Sequence, residues 1–405
     1  MNDSLLKDIR ILAATWVWAG PWLGAVLADM GAEVIKVESR QKIDNMRYMI
    51  GGGAAGPGAN PSPNLGGFNV YNRGAKSCTI DLKKPDGAGL FKELVKISDI
   101  VIENFPPRVM PDLGLDYLAL KEVKPDIIMV SLNFLGSVGP DKDYVAYAST
   151  LAAVGGYVSS FGYPGGDPPP ESLYLADPIA SMYGVIGALS ALYYRRKTGK
   201  GQHVDISETE GLISVLPEMV MEYAMNKRIR PRMGNRDEIM APHGCYPCNG
   251  IDKWVAIAVS TEEEWQALCR VMGNPEWTKE ERFSDRFKRW QNQDDLDKHV
   301  AEWTKKFDPY ALTRMLQEVG VAAGPSLNVE ELVDDRHIRA RGAIFEQNHV
   351  EAGRTVVYRS PWLSAETRHN RPAPCLGEHN DYVFKDLLNL SDSRVAALVE
   401  EKVIY

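Results

Sequence analysis

IRILAATWVWAGPWLGAVLADMGAEVIKVE, residues 9–38, decides the fold class. Residues 9–13 form a short apolar run that reads as a strand. AGPWLGAVLADMGA follows, with Pro21 placed to open a helix and Gly31 to close it. Glu33, Val34, Ile35, Lys36, Val37 and Glu38 then read as a β-branched strand. A strand–helix–strand unit of this length implies two parallel strands joined by a right-handed crossover.

The same alternation continues outward. Residues 77–82, 99–103 and 126–132 are strand-like, 87–97 is an amphipathic helix, and 118–123 reads as helical. Residues 180–194 form a strong helical stretch that ends at Gly199 and Gly201. Residues 203–207 read as a strand, and 208–225 as one long helix. Alternating β and α elements predict a doubly wound, Rossmann-like α/β domain. The Gly-, Pro- and Asn-rich stretch 51–67 is read as a long loop, a length that often serves as a lid. Beyond residue 226 the pattern changes to an irregular segment, a strand at 254–259 and helices from 262 to 319. We read 1–225 as a large domain to which 326–405 returns, and 226–325 as a smaller α/β domain.

The 405 residues carry 46 basic and 54 acidic side chains, a net charge of −8. That balance argues against nucleic acid or an anionic membrane as the main partner. No run of 18 apolar residues and no signal-peptide pattern is present. Five scattered cysteines fit a reducing, cytoplasmic setting rather than a disulfide framework. Cys245 and Cys248 form a CxxC, but no second pair completes a metal site, and they read as ordinary thiols near a turn. GGGAAGPG at 51–58 is not a phosphate-binding P-loop, because no GK[ST] follows. His243, His337 and His379 read as structural or solvated.

The specific signal is a set of ordered motifs: AGPWLGAVLADMGAEVIKVE (19–38), KSCTIDLKKPDG (76–87), DIVIENFPPRVMPDLGLDY (99–117), LAD (175–177), RRKTGKGQHVDIS (195–207), GVAAGP (320–325) and RPAPCLGEH (371–379). Together, and in this order, they resemble the class III coenzyme A-transferases, the CaiB/BaiF family, over nearly the whole chain. The resemblance implies a CoA-transferase, CoA as co-substrate, no metal, flavin or nicotinamide, and an interlocked dimer in which two chains thread through each other. That dimer is either homomeric or formed with a paralogous subunit.

By the resemblance, Asp177 is the nucleophile that accepts the acyl group. An Asp just before a helix is otherwise a common N-cap. The helix N-terminus is expected to hold its carboxylate ionised. The CoA site falls, by the same resemblance, on Val17, Trp18 and Ala19, on Ile80, Asp81, Leu82 and Lys83, and on Asn104, Phe105 and Pro106, with Tyr147 nearby. Arg40 and Lys83 are candidates for phosphate contact. Some positions depart from the family pattern. Ser39 stands where Arg is frequent, with Arg40 next. Pro111-Asp112 replaces a basic residue, for which Arg108 can substitute. Val145 stands where Lys is expected.

Two other readings differ in chemistry. A 2-methylacyl-CoA racemase would need a His-Asp dyad near 143–144, where this chain has Asp143-Tyr144 and no histidine precedes His203. A catalytically silent subunit of a heteromer would be expected to have lost the nucleophile. Trp18 adds an apolar face where family members acting on very small acids often carry Gln. It points to a bulky acceptor, aryl or branched, such as benzylsuccinate, with a carnitine-like or bile-acid-like acid as runner-up and succinyl-CoA as donor.

Overall fold

Apolar residues on both faces of the first strand mark a sheet covered on both sides. In the computed structural model, which describes residues 4–50, 53–54, 67–168, 175–362 and 371–405, strand β1 (Arg10–Ala14) leads into helix α1 (Ala19–Asp29) and strand β2 (Glu33–Glu38). Strands β3 (Lys76–Thr79), β4 (Ile100–Glu103), β5 (Ile128–Asn133) and β6 (His203–Ser207) complete a six-stranded sheet of order β3-β2-β1-β4-β5-β6. Every pairing in it is parallel, with Leu12 of β1 opposite both Ile35 and Val101. This is the doubly wound order, in which the chain reverses direction of growth between β1 and β4.

Side chains alternate across this sheet. Ile11, Ala13, Val34, Ile102 and Val130 pack on one face with Leu23 and Leu27 of α1 and Ala188 and Leu192 of helix α5 (Ala176–Thr198). Leu12, Ile35, Val37, Val101 and Met129 pack on the other with Phe91 and Leu94 of helix α2 (Pro85–Lys96) and with Val383, Phe384 and Val403. A parallel sheet needs such cover, since its strands carry apolar side chains on both faces. Helices α3 (Tyr117–Val123) and α4 (Ala148–Val154) lie in the crossovers after β4 and β5. Gly199, at φ 71°, closes α5 with a backbone bond to Arg195.

Two expectations shift. Helix α5 begins at Ala176, so Asp177 lies inside its first turn. The N-cap is Leu175, whose side chain makes no cap bond. The single helix expected over 208–225 is two, α6 (Glu208–Ile213) and α7 (Pro217–Asn226). Pro217 has no N–H to continue the first helix and instead starts the second.

The chain divides into two compact units: residues 1–157, 170–227 and 337–405 form the first, and 158–169 with 228–336 the second. The second holds an antiparallel sheet of β7 (His243–Pro247), β8 (Trp254–Ala258) and β9 (Ala322–Ser326), with β8 in the middle. Val255 and Ile257 pack there against Trp265, Leu268, Leu312 and Leu316. Most of the loop read at 51–67 lies outside the described residues.

Candidate active site

In a parallel sheet all carboxyl ends share one edge, and a doubly wound sheet opens a crevice where its order reverses. Every residue singled out by the sequence follows such an end. Val17, Trp18 and Ala19 follow β1, Arg40 follows β2, and Ile80, Asp81, Leu82 and Lys83 follow β3. Asn104, Phe105 and Arg108 follow β4, and Tyr147 and Asp177 lie between β5 and β6.

The loops after β1 and β4, on either side of the reversal, are fastened together. Asn104 accepts the Trp16 backbone N–H at 2.8 Å and donates to the Trp16 carbonyl at 2.9 Å. Trp16 meets the Phe105 ring edge-on at 6.1 Å. Gly20 permits the approach: a Cβ there would stand 2.7 Å from Thr15 Cγ2 and 2.9 Å from Asn104 Cγ. Glu103, buried at the end of β4, accepts the Phe105 N–H at 2.8 Å, and burial pushes its carboxyl up to about 7.

Val17 sits at φ 63°, a costly conformation for a β-branched residue. Its N–H is held by the buried carboxylate of Asp44, at 3.2 and 3.3 Å. Asp44 also pairs with Lys36 Nζ at 3.2 Å, and Lys36 donates to the Thr15 carbonyl at 2.8 Å. The strained turn aims the first N–H of α1 outward. That N–H, on Ala19, lies close enough to the Asp177 carboxyl to favour its ionised form. The N-termini of α1 and α5 thus meet at one carboxyl group, and the Ser181 hydroxyl lies 2.7 Å from the carbonyls of both Ala19 and Asp177.

The helix N-terminus was expected to keep Asp177 firmly ionised. Burial instead dominates and pushes its carboxyl up to about 6, against the lowering effect of the N–H donors of Ala19 and of Asp177 itself. A desolvated carboxylate is a stronger nucleophile than a hydrated one and remains mostly ionised at neutral pH.

Two neighbours escaped the sequence reading. Tyr71 stacks obliquely on Trp18 at 5.0 Å, and burial and the charge of Asp177 help push its hydroxyl up to about 12. Glu208, the first residue of α6, is buried, and burial together with the charge of Asp177 raises its carboxyl well above the usual range. Nothing in local spacing joins 71, 177 and 208. The available signal was an acid opening a helix directly after the edge strand β6.

The other candidates lie along the same edge. Ile80 is buried and bridges Ile404, while the Asp81 N–H donates to the Val403 carbonyl. Leu82 packs at the margin of the core. Arg40, Lys83 and Arg108 are exposed and have no carboxylate partner among the described residues, which leaves three cations available for phosphates. Tyr147 is 72 % exposed at the start of α4 and makes no cap bond. Cys245 and Cys248 are free thiols, as are the other three cysteines. Among the described residues no cluster of three or more His, Cys, Asp or Glu could hold a metal, and no helix is long and apolar enough to cross a membrane.

Comparison with known proteins adds the chemistry. Residues 6–380 match the family described as CoA-transferase family III. The chain is 34 % identical over 401 residues to a succinyl-CoA–D-citramalate CoA-transferase of Chloroflexus aurantiacus, covering 98 % of each chain. It is 31 % identical to a succinate–glutarate CoA-transferase of Agrobacterium fabrum, covering 94 % of this chain and 95 % of that one. It is also 33 % identical to the alpha subunit of a Chloroflexus aurantiacus succinyl-CoA–L-malate CoA-transferase, covering 98 % of this chain and 92 % of that one. A crystal structure of a CAIB/BAIF family protein from Brucella suis matches with a TM-score of 0.84 at 30 % identity, covering 95 % of this chain and 100 % of that one.

Proposed function

The chain belongs to CoA-transferase family III and moves coenzyme A between an acyl-CoA and a carboxylic acid; from that premise we propose that Asp177 is the group that carries the acyl chain. The observation behind this reading is the placing of Asp177 where the first turns of α1 and α5 meet, tied through Ser181 to the Ala19 carbonyl, at the carboxyl edge of the sheet. The Asp177 carboxylate attacks the donor thioester carbonyl, the C–S bond breaks, and CoA thiolate leaves an acyl–aspartyl anhydride. The thiolate attacks the aspartyl carbonyl and releases the donor acid, giving an aspartyl-CoA thioester. The acceptor carboxylate displaces the thiolate to form a second anhydride. The thiolate then takes the acceptor acyl carbon and frees Asp177. The oxyanions that develop on the aspartyl carbonyl in the two middle steps form beside the Ala19 N–H, where a preorganised donor is most useful. The thioester's energy is retained provided water is kept out.

Coenzyme A is the co-substrate, and the three exposed cations Arg40, Lys83 and Arg108, which have no carboxylate partner among the described residues, suit its phosphates. A racemase reading has no support in the geometry: Asp143 and Tyr144 are exposed, and His203 is engaged with Ser131 at 2.9 Å.

For the acid partners we infer succinyl-CoA as donor and a four- or five-carbon dicarboxylate as acceptor, the chemistry named in the relatives. The bulky aryl acceptor read from Trp18 finds no counterpart among them, and Tyr71 already occupies one face of that indole. A panel of citramalate, malate, glutarate, benzylsuccinate, oxalate and acetate, assayed with succinyl-CoA, is expected to give the highest kcat/KM for one of the first three. A maximum for benzylsuccinate would restore the aryl reading.

We also infer an obligate dimer in a cytoplasmic setting. Tyr183, Ile186 and Tyr193 of α5 and Met221, Tyr223 and Met225 of α7 are large apolar side chains, 40–72 % exposed in the single chain. A surface of that kind is ordinarily covered. Light scattering at micromolar concentration is expected to give twice the chain mass, and a stable monomer would refute the assembly.

A further inference from the structure

The family chemistry needs one carboxylate, and this chain buries a second beside it. Ser207 caps α6 by accepting the Glu210 N–H at 3.2 Å. Glu208 follows in the first turn, only 8 % exposed. One turn further, Gly211 lies on α5: a Cβ placed there would stand 3.6 Å from Ile179 Cγ2 and 3.8 Å from Ala180 Cα. Helix α6 is therefore seated on the opening turns of α5, where Asp177 lies. Among the described residues, no cation and no hydrogen-bond donor pairs with the Glu208 carboxyl.

The other titratable groups around α6 are engaged elsewhere or face away. Tyr183 of α5 bonds Ser214 at 2.7 Å. On β6, His203 bonds Ser131, and Asp205 accepts the Ser137 N–H at 2.9 Å and its hydroxyl at 2.9 Å. Helix α4 carries no titratable side chain, and Glu210 of α6 itself is exposed. Asp177 is the charge that acts on Glu208. A buried carboxyl group beside a half-buried one cannot ionise cheaply once the other is charged, and the two titrate as a pair.

We propose that Glu208 is a positioning residue for the nucleophile: it stands beside Asp177 as a neutral carboxylic acid, so that the pocket holds one negative charge and an anionic acceptor can approach. This rests on Asp177 being the nucleophile. The first proton of the pair then leaves from Asp177 near pH 6, where activity rises. The second leaves from Glu208 at higher pH, where a second anion repels the acceptor and activity falls.

The test is the pH profile of kcat/KM for wild type, Glu208→Gln, Glu208→Leu and Glu208→Asp, with infrared titration of the free enzyme. Wild type and Glu208→Asp should show an alkaline limb of about tenfold per pH unit, whereas the Gln and Leu forms should stay level within about twofold over the same range. A protonated-carboxyl band should persist in free wild-type enzyme after Asp177 has ionised, and vanish in Glu208→Gln. In Asp177→Asn it should titrate away at lower pH than in wild type, because the neighbouring charge is gone. If the Leu form does not fold, the Gln form decides. An unchanged alkaline limb or band in Glu208→Gln, with Asp177→Ala inactive, overturns this role and leaves the nucleophile assignment standing. Turnover by Asp177→Ala would remove both.

Discussion

Asp177→Ala is expected to lower kcat by at least about 10⁴-fold while CoA still binds, because the variant loses the carboxyl that is placed to carry the acyl chain as an anhydride. The proposed phosphate contacts follow β2, β3 and β4 and do not include the substituted side chain. Single-turnover reaction of wild type with succinyl-CoA and hydroxylamine should place a hydroxamate on Asp177, and the Ala form should give none. The same substitution should not weaken the fold. The carboxyl of Asp177 titrates near 6 in the folded chain, above its ordinary value, so its ionised form is disfavoured by folding. That cost is present above pH 6 and disappears as pH falls through the ordinary carboxylate range. Thermal unfolding at pH 8 should therefore show Asp177→Ala at or above the wild-type midpoint, with the difference gone near pH 4. A group retained against stability is one kept for chemistry. Loss of both stability and activity would instead mark Asp177 as a structural cap.

What could be read in the chain followed how local each cause is. The β1–α1–β2 unit was legible because β-branched runs and a Pro-to-Gly helical interval lie within 30 residues, and its two strands fall within one residue of the expected ends, whereas the strand expected at 77–82 ends at Thr79. The edge that gathers the candidate residues came from the structure: Ile80, Asp81 and Leu82, read as part of a strand, follow its end at Thr79. Pro217 was visible but was outweighed by the apolar period around it. The start of α5 was not legible. An Asp before a helix normally caps it, but Asp177 turns its carboxylate to Ala19, 158 positions earlier, and the helix begins at Ala176 without a side-chain cap. Tyr71, Asp44 and Glu208 reach the site only through packing between distant segments, which carries no periodic signature.

Asp44 gives the second large effect, since it joins stability to the geometry of the site. Its carboxylate is 1 % exposed and has three tasks: it neutralises Lys36, holds the N–H of Val17 in its left-handed conformation, and accepts the Met46 N–H at 3.1 Å. Asp44→Ala would strand the Lys36 ammonium among Phe68, at 5.0 Å, and the Thr15 carbonyl. Removing one member of a buried pair costs about 3–5 kcal/mol, so the variant should unfold at clearly lower urea concentration. Replacing both members with apolar residues, as in Lys36→Met with Asp44→Leu, should recover most of that loss, because no buried charge is left unpaired. It should not recover activity. Without an acceptor for its N–H, Val17 can relax from φ 63° to the extended or helical region, and the Ala19 N–H, two residues on, is no longer aimed at Asp177. Misplacing one preorganised donor costs about 10²–10³-fold in kcat. Asp44→Asn separates the two roles: it keeps an oxygen for Val17 and gives up the charge, so it should be less stable than wild type yet faster than the double variant. A double variant with wild-type kcat would show that the strained turn at Val17 does not position the donor, and that the Lys36–Asp44 pair serves the fold alone.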